Sequence, residues 1–166
     1  MDRRQMALKL VVEGLGLEFK ITFFQDRLIL QKAVYLSQAA GLGLGYHFQW
    51  YLRGPYSPAL TRDAYSVGVQ LAADDDESEG WVLDDHSVNR LGDIRSLFQN
   101  GGRPRLADKL ELLASVHFLI DHKQVPEGDV RAIQETLTRY EKNFGDDEIR
   151  QALGELKKNA LLVRSR

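Results

Sequence analysis

The chain has 166 residues, 43% of them hydrophobic and 28% charged, with a formal net charge of −2 and no cysteine. That length buries roughly 70% of the unfolded surface, enough to fold without a staple, and the missing cysteines exclude a disulfide framework, a thiolate metal site and a cysteine nucleophile. The near-neutral charge gives no global basic field for nucleic acid; with no signal-peptide pattern after MDRRQ and no apolar run near about 18 residues, the chain reads as a soluble cytoplasmic protein with no membrane contact.

In chain order, residues 5–13 form a short helix that stops at Gly14-Leu15-Gly16. LEFKITFFQ is either a strand or the lead-in to a helix. Gln25 to Ala40 is a strong helix, with Leu28, Val34, Tyr35, Leu36 and Ala39 at three- and four-residue spacings and Gly41 as its C-terminal cap. LGLGYH is a Gly-punctuated connection. FQWYLR is aromatic and bounded by Gly on both sides, so it reads as a strand that Pro55 and Pro58 then end. Ser57 is a natural N-cap with Pro58 in the first helical position, and Leu60, Ala64, Tyr65, Val67 and Leu71 continue that helix. DDDESEG is an acidic break, after which WVLDD would pair with FQWYLR as a two-stranded ribbon.

Asp85 or Ser87 caps the next helix, which carries Val88, Leu91, Ile94, Leu97 and Phe98. NGGRP is a stop. Leu106 to His122 is helical, with Leu106, Leu110, Leu113, Val116, Phe118 and Ile120 as core candidates. Beyond Pro126, Val130, Ile133, Leu137 and Tyr140 mark one helical face within 127–143. Asp146-Asp147 opens the last helix, where acidic side chains suit the helix dipole. The predicted architecture is mainly α: a single compact domain over 1–166 with six or seven helices and a small two-stranded β ribbon.

The usual chemical motifs are missing. GLGLG lacks the G-K-[ST] ending of a phosphate loop. His117 and His122 are five apart and point to different helix faces, whereas ligand pairs stand three or four apart. DDDESE lacks the turn glycine and terminal glutamate of a calcium loop. No serine sits in a G-x-S-x-G elbow. No catalytic residue, metal ligand or cofactor is assigned.

Three features remain. Ile149, Leu153, Leu156, Ala160 and Val163 follow a 4-3-4-3 spacing, either docking the last helix on the core or forming a seam for a homodimer or partner. Gln31, Lys32 and Tyr35 stand close together on one helix, and would form a polar notch facing the ribbon unless Lys32 merely snorkels to solvent. In FQWYLR, alternation puts Phe48, Trp50 and Leu52 on a core face and His47, Gln49, Tyr51 and Arg53 on the other. Tyr51, Arg53 and Tyr56 then make an aromatic-cationic corner suited to a carboxylate, a phosphate or a peptide. Equally, Tyr56 could pack inward and Arg53 pair with an acid.

LQKAVYLSQAAGLGLGYHFQWYLRGPYSPALTRD also resembles the signature of the SocA-like, or Panacea, family of antitoxin-type domains and is similar to YwgA-like bacterial proteins. The pattern is carried by Leu30, Gln31, Lys32, Tyr35 and Leu36, then Gly45, Tyr46, Phe48, Tyr51, Gly54, Pro55, Tyr56, Ser57 and Leu60, within residues 25–70; the helices of 104–163 match in general character. The resemblance implies a small prokaryotic helical module without established catalysis that pairs with a protein partner, a toxin encoded by a neighbouring gene. The candidate binding set is Gln31, Lys32, Tyr35, Tyr51, Arg53, Gly54, Pro55, Tyr56 and Ser57. Two other readings stay open: a winged-helix-like nucleic-acid binder using Arg53, Arg62 and the basic tail, and a small-ligand binder or enzyme built on Lys32, Tyr35 and Tyr56.

Overall fold

The computed structural model describes residues 1–99 and 101–162. Seven α-helices are found among them: α1 (Arg3–Gly14), α2 (Phe24–Ala39), α3 (Pro58–Ala72), α4 (Asp85–Ile94), α5 (Arg103–Asp121), α6 (Val130–Arg139) and α7 (Asp146–Lys158). A 3-10 turn, Arg95–Phe98, continues α4. Two three-residue strands, β1 (Gln49–Tyr51) and β2 (Gly54–Tyr56), form one antiparallel hairpin. The protein is mainly α, as predicted.

Helix α5 is the axis. It is long, mostly apolar, and buried without a break from Leu110 to Leu119, as a helix surrounded by others must be. Helix α2 packs along it, α7 packs on another side, and β2 rests on it as well. Helix α1 packs on α2, α3 and α4, while α6 packs on α7. All seven helices contribute to one hydrophobic cluster, from Leu8 to Leu162.

The helix starts follow local chemistry. The Ser57 hydroxyl accepts from the Leu60 N–H at 3.3 Å and Pro58 follows it, so α3 begins where the sequence places it. Helix α4 is capped by Asp84, whose carboxylate accepts from the Ser87 N–H at 2.7 Å. The cap is thus one residue before Asp85, the earlier of the two expected positions.

The ribbon partner differs from the expectation. β1 pairs with β2, in the register Gln49 with Tyr56, Trp50 with Pro55 and Tyr51 with Gly54. Residues 81–84 form no strand, and Trp81 and Val82 are exposed. The reason is local. Of Leu52, Arg53 and Gly54 only the glycine has positive φ, +86°, so a turn followed by a left-handed glycine closes the chain on itself. Pro55 does not end the strand either: a two-stranded hairpin has free edges, where a residue without an N–H is tolerated. The turn also moves Leu52 from the expected core face to the hairpin tip, where it is 74% exposed.

The last helix resolves as core. Ile149, Leu153 and Leu156 are buried, with α7 packed on α5 and α6. The heptad spacing outlasts the helix, which ends at Lys158; Ala160 lies beyond it, exposed, with φ +55°. Val163 is outside the described residues. The three buried positions are therefore not available as a dimer or partner seam.

Candidate functional site

Helix α2 holds the hairpin and its flanks through side chains two turns apart. The Gln38 amide donates to the Tyr46 carbonyl and accepts the Tyr46 N–H, both at 2.9 Å, just before β1. Seven residues earlier, the Gln31 amide does the same to Ser57 just after β2: its Nε2 donates to the Ser57 carbonyl and its Oε1 accepts the Ser57 N–H, each at 2.9 Å. Two turns of helix return side chains to nearly the same face, so one face of α2 clamps both ends of the segment. Between the clamps, Lys32 Nζ donates to the Pro55 carbonyl at 2.6 Å.

Lys32 is 1% exposed. Burial pushes its pKa from 10.5 down to about 7, against the pull of the Glu111 carboxylate, and the Lys142 and Arg53 charges push the same way as burial. Snorkelling is therefore not what Lys32 does.

Gln31 and Lys32 thus meet the ribbon as a polar notch would. Tyr35 does not join them. It is buried toward α5, with its hydroxyl 2.7 Å from His117 Nδ1. His117 Nε2 is 3.0 Å from the Leu161 carbonyl, which can only accept. The proton therefore sits on Nε2, and Nδ1 accepts from Tyr35. Burial holds the His117 pKa down and the Tyr35 pKa above the ordinary tyrosine range. Tyr35 is a core tether rather than a member of the site. Ser57 and Pro55 are also buried, acting through cap and carbonyl rather than as a surface.

Outside the clamp lies a cavity of about 560 Å³, bounded by α2, the hairpin, α3 and Ile21. Lys32 and Gln31 form part of its floor, and Arg27, Arg53, Tyr56 and Thr61 part of its walls. The rim carries Phe24, Tyr51, Leu52 and Tyr65, all exposed large hydrophobics. The Tyr51 and Tyr56 rings stand 5.4 Å apart, and the Arg53 guanidinium lies 5.8 Å from the Phe24 ring centroid. Polar groups on the wall satisfy one another: Gln31 Nε2 donates to Thr61 Oγ1, and Thr61 Oγ1 bonds the Tyr56 hydroxyl, both at 2.9 Å. Apolar surface and positive charge are what remain to meet an occupant.

The far side of the hairpin tip is built differently. Lys142 Nζ donates to the Leu52 carbonyl at 2.9 Å and to Glu111 at 2.5 Å, and both side chains are buried. Arg53 reaches the other Glu111 oxygen at 3.5 Å. Beneath the turn, a Cβ at Gly54 would collide with the Ser115 hydroxyl, which has no hydrogen-bond partner among the described residues. Gly54 thus serves both the left-handed turn and the close seat on α5.

Phe24, Arg27, Thr61 and Tyr65 were not singled out by sequence. Phe23-Phe24 carried a faint signal, two aromatics just ahead of the apolar face of α2. Glu111 and Lys142 carried none, being 31 residues apart, one on α5 and the other in the loop between α6 and α7.

Comparison of the chain with protein-family models, with curated proteins and with solved structures finds no match. No described helix is long and apolar enough to cross a membrane.

Proposed function

We propose that the protein is a non-catalytic protein-interaction module of the antitoxin type, with the cavity between α2, the hairpin and α3 as its partner face. The observation that carries this reading is the ring of exposed Phe24, Tyr51, Leu52 and Tyr65 around a concave floor. Contiguous exposed apolar surface of this kind is uncommon on a protein that acts alone, and aromatic side chains with arginine are the usual anchors of an interface. The resemblance of residues 25–70 to antitoxin-type domains points the same way, and suggests a toxin encoded next door as the partner.

Co-expression with the neighbouring gene product tests it. The expected result is a co-purifying complex and rescued growth, with both weakened by Tyr51→Ala combined with Tyr65→Ala. A neighbouring product that neither binds nor is neutralised overturns the reading.

A second reading, small-ligand binding in the same cavity, draws on its volume, which falls in the range of about 300–1,000 Å³ usual for small-molecule sites. A ligand-dependent rise in melting temperature that survives Tyr51→Ala but is lost in Lys32→Met would favour it.

A further inference from the structure

We infer that the occupant of this groove is an acidic, apolar peptide segment: one or two aromatic or aliphatic side chains in the cavity and a carboxylate against its cations. The inference rests on the interaction-module reading and adds the chemistry of the partner.

Charge carries the argument. Arg27 and Arg53 line the cavity together with Lys32, whose charge burial makes only partial near pH 7, and among the described residues no Asp or Glu does. The bonds that Arg27 and Lys32 make among the described residues go to neutral carbonyls: Ile21 and Thr22 for Arg27, Pro55 for Lys32. Arg53 has Glu111, but at 3.5 Å and across the hairpin tip, where Glu111 already holds Lys142 at 2.5 Å. The cavity therefore concentrates positive potential on a chain whose net charge is −2. Apolar walls thin the water around it, and an arriving carboxylate meets Arg27, which bonds only carbonyls among the described residues, and Arg53, which shares Glu111 with Lys142.

The same wall disfavours nucleic acid. Phosphate binding along a nucleic acid draws on an extended basic face, whereas the chain carries a net charge of −2 and the neutral donors of the groove, Gln31, Thr61 and Tyr56, are engaged with one another and with Ser57. What is left is an aromatic rim with Arg27 and Arg53 in the walls, which suits a side chain such as Phe, Leu or Trp next to Asp or Glu.

The experiment uses the full chain and three labelled peptides: acetyl-Phe-Glu-Leu-Trp-Asp-amide, its Gln/Asn counterpart, and its Lys/Lys counterpart. Fluorescence anisotropy reads affinity at two salt concentrations, and amide chemical shifts locate the contact. The acidic peptide is expected to bind about tenfold more tightly than the neutral one, to weaken with salt, and to shift Phe24, Tyr51, Arg53 and Tyr65. Arg53→Glu should remove that preference, and so should Arg53→Gln, which takes away the charge without setting a second acid against Glu111. Equal affinity for the acidic and neutral peptides, preference for the basic one, no binding by any, or shifts elsewhere would each overturn the inference. A co-purified partner complex indifferent to Arg53→Glu and to competing acidic peptide would overturn it while leaving the module reading intact. Acidic-peptide binding in the groove without any protein complex supports the inference and sinks the module reading.

Discussion

Lys32 and Lys142 both reach under the hairpin, and both end on one of its carbonyls, Pro55 for the first and Leu52 for the second. Lys142 has the Glu111 carboxylate in contact, also buried, so its charge is answered inside the fold. Lys32 feels Glu111 only at a distance and borders a cavity that no carboxylate lines among the described residues. The contrast separates a lysine whose electrostatics are complete from one whose electrostatics are left open toward a surface. Removing one partner of a buried ion pair costs far more than the intact pair adds to stability, so the Lys142 side should be the more fragile to mutation and the Lys32 side the more responsive to its surroundings.

The largest expected effect breaks the closed side. Glu111→Ala leaves Lys142 buried without a counter-charge and should cost about 3–5 kcal/mol in denaturant unfolding. Lys32→Met strands only the Pro55 carbonyl while relieving a buried charge, and should cost less than half as much. Equal losses would erase the distinction between the two lysines. Next, Gly54→Ala forces a left-handed residue and a clash with Ser115, together worth about 3 kcal/mol. Adding Ser115→Ala removes the clash but not the strain, so the double variant should recover part of the loss, measurable as non-additivity.

The open side should show in pH. Lys32 has a folded pKa of about 7 against an ordinary 10.5, so between these values the unfolded chain binds the extra proton and stability rises with pH. From pH 7 to 9 the Lys32 contribution is about 2 kcal/mol, and Lys32→Met should flatten the rise; an unchanged slope would mean that Lys32 is ordinary. The smallest effect is Ser115→Ala alone. Its hydroxyl is buried and has no partner among the described residues, so its removal should change stability by less than about 1 kcal/mol, in the stabilising direction.

Legibility in the sequence followed the range of the interaction. Helix α2 and the Ser57-Pro58 start of α3 were readable because cap, periodicity and glycine stop all lie within a few residues. The helical identity of α5 was readable from its long apolar run between NGGRP and Pro126, although it begins at Arg103 rather than Leu106 and is buried on more than the one face that the core candidates mark. The hairpin partner was misread because WVLDD and FQWYLR look alike as strands, while the deciding element was the left-handed conformation of Gly54, which the letters do not print. In the site, Gln31 and Lys32 stood out as polar residues on an apolar helix. Tyr35, three residues on from Lys32, looked the same by spacing, yet the imidazole of His117, 82 residues away in sequence, takes its hydroxyl. The cavity itself needed Phe24 and Tyr65 brought together from two helices, and no local pattern announces such a meeting.

The seat of the hairpin has a kinetic consequence. Gln38 and Gln31 fix the chain on either side of it, Lys32 and Lys142 hold a carbonyl on each side of the turn, and Gly54 lies against α5 without room for a methyl group. A wall held at so many points has no slow opening to wait for. Partner capture should then be a single bimolecular event, with an observed rate that climbs linearly with partner concentration and never levels off at the speed of a conformational step.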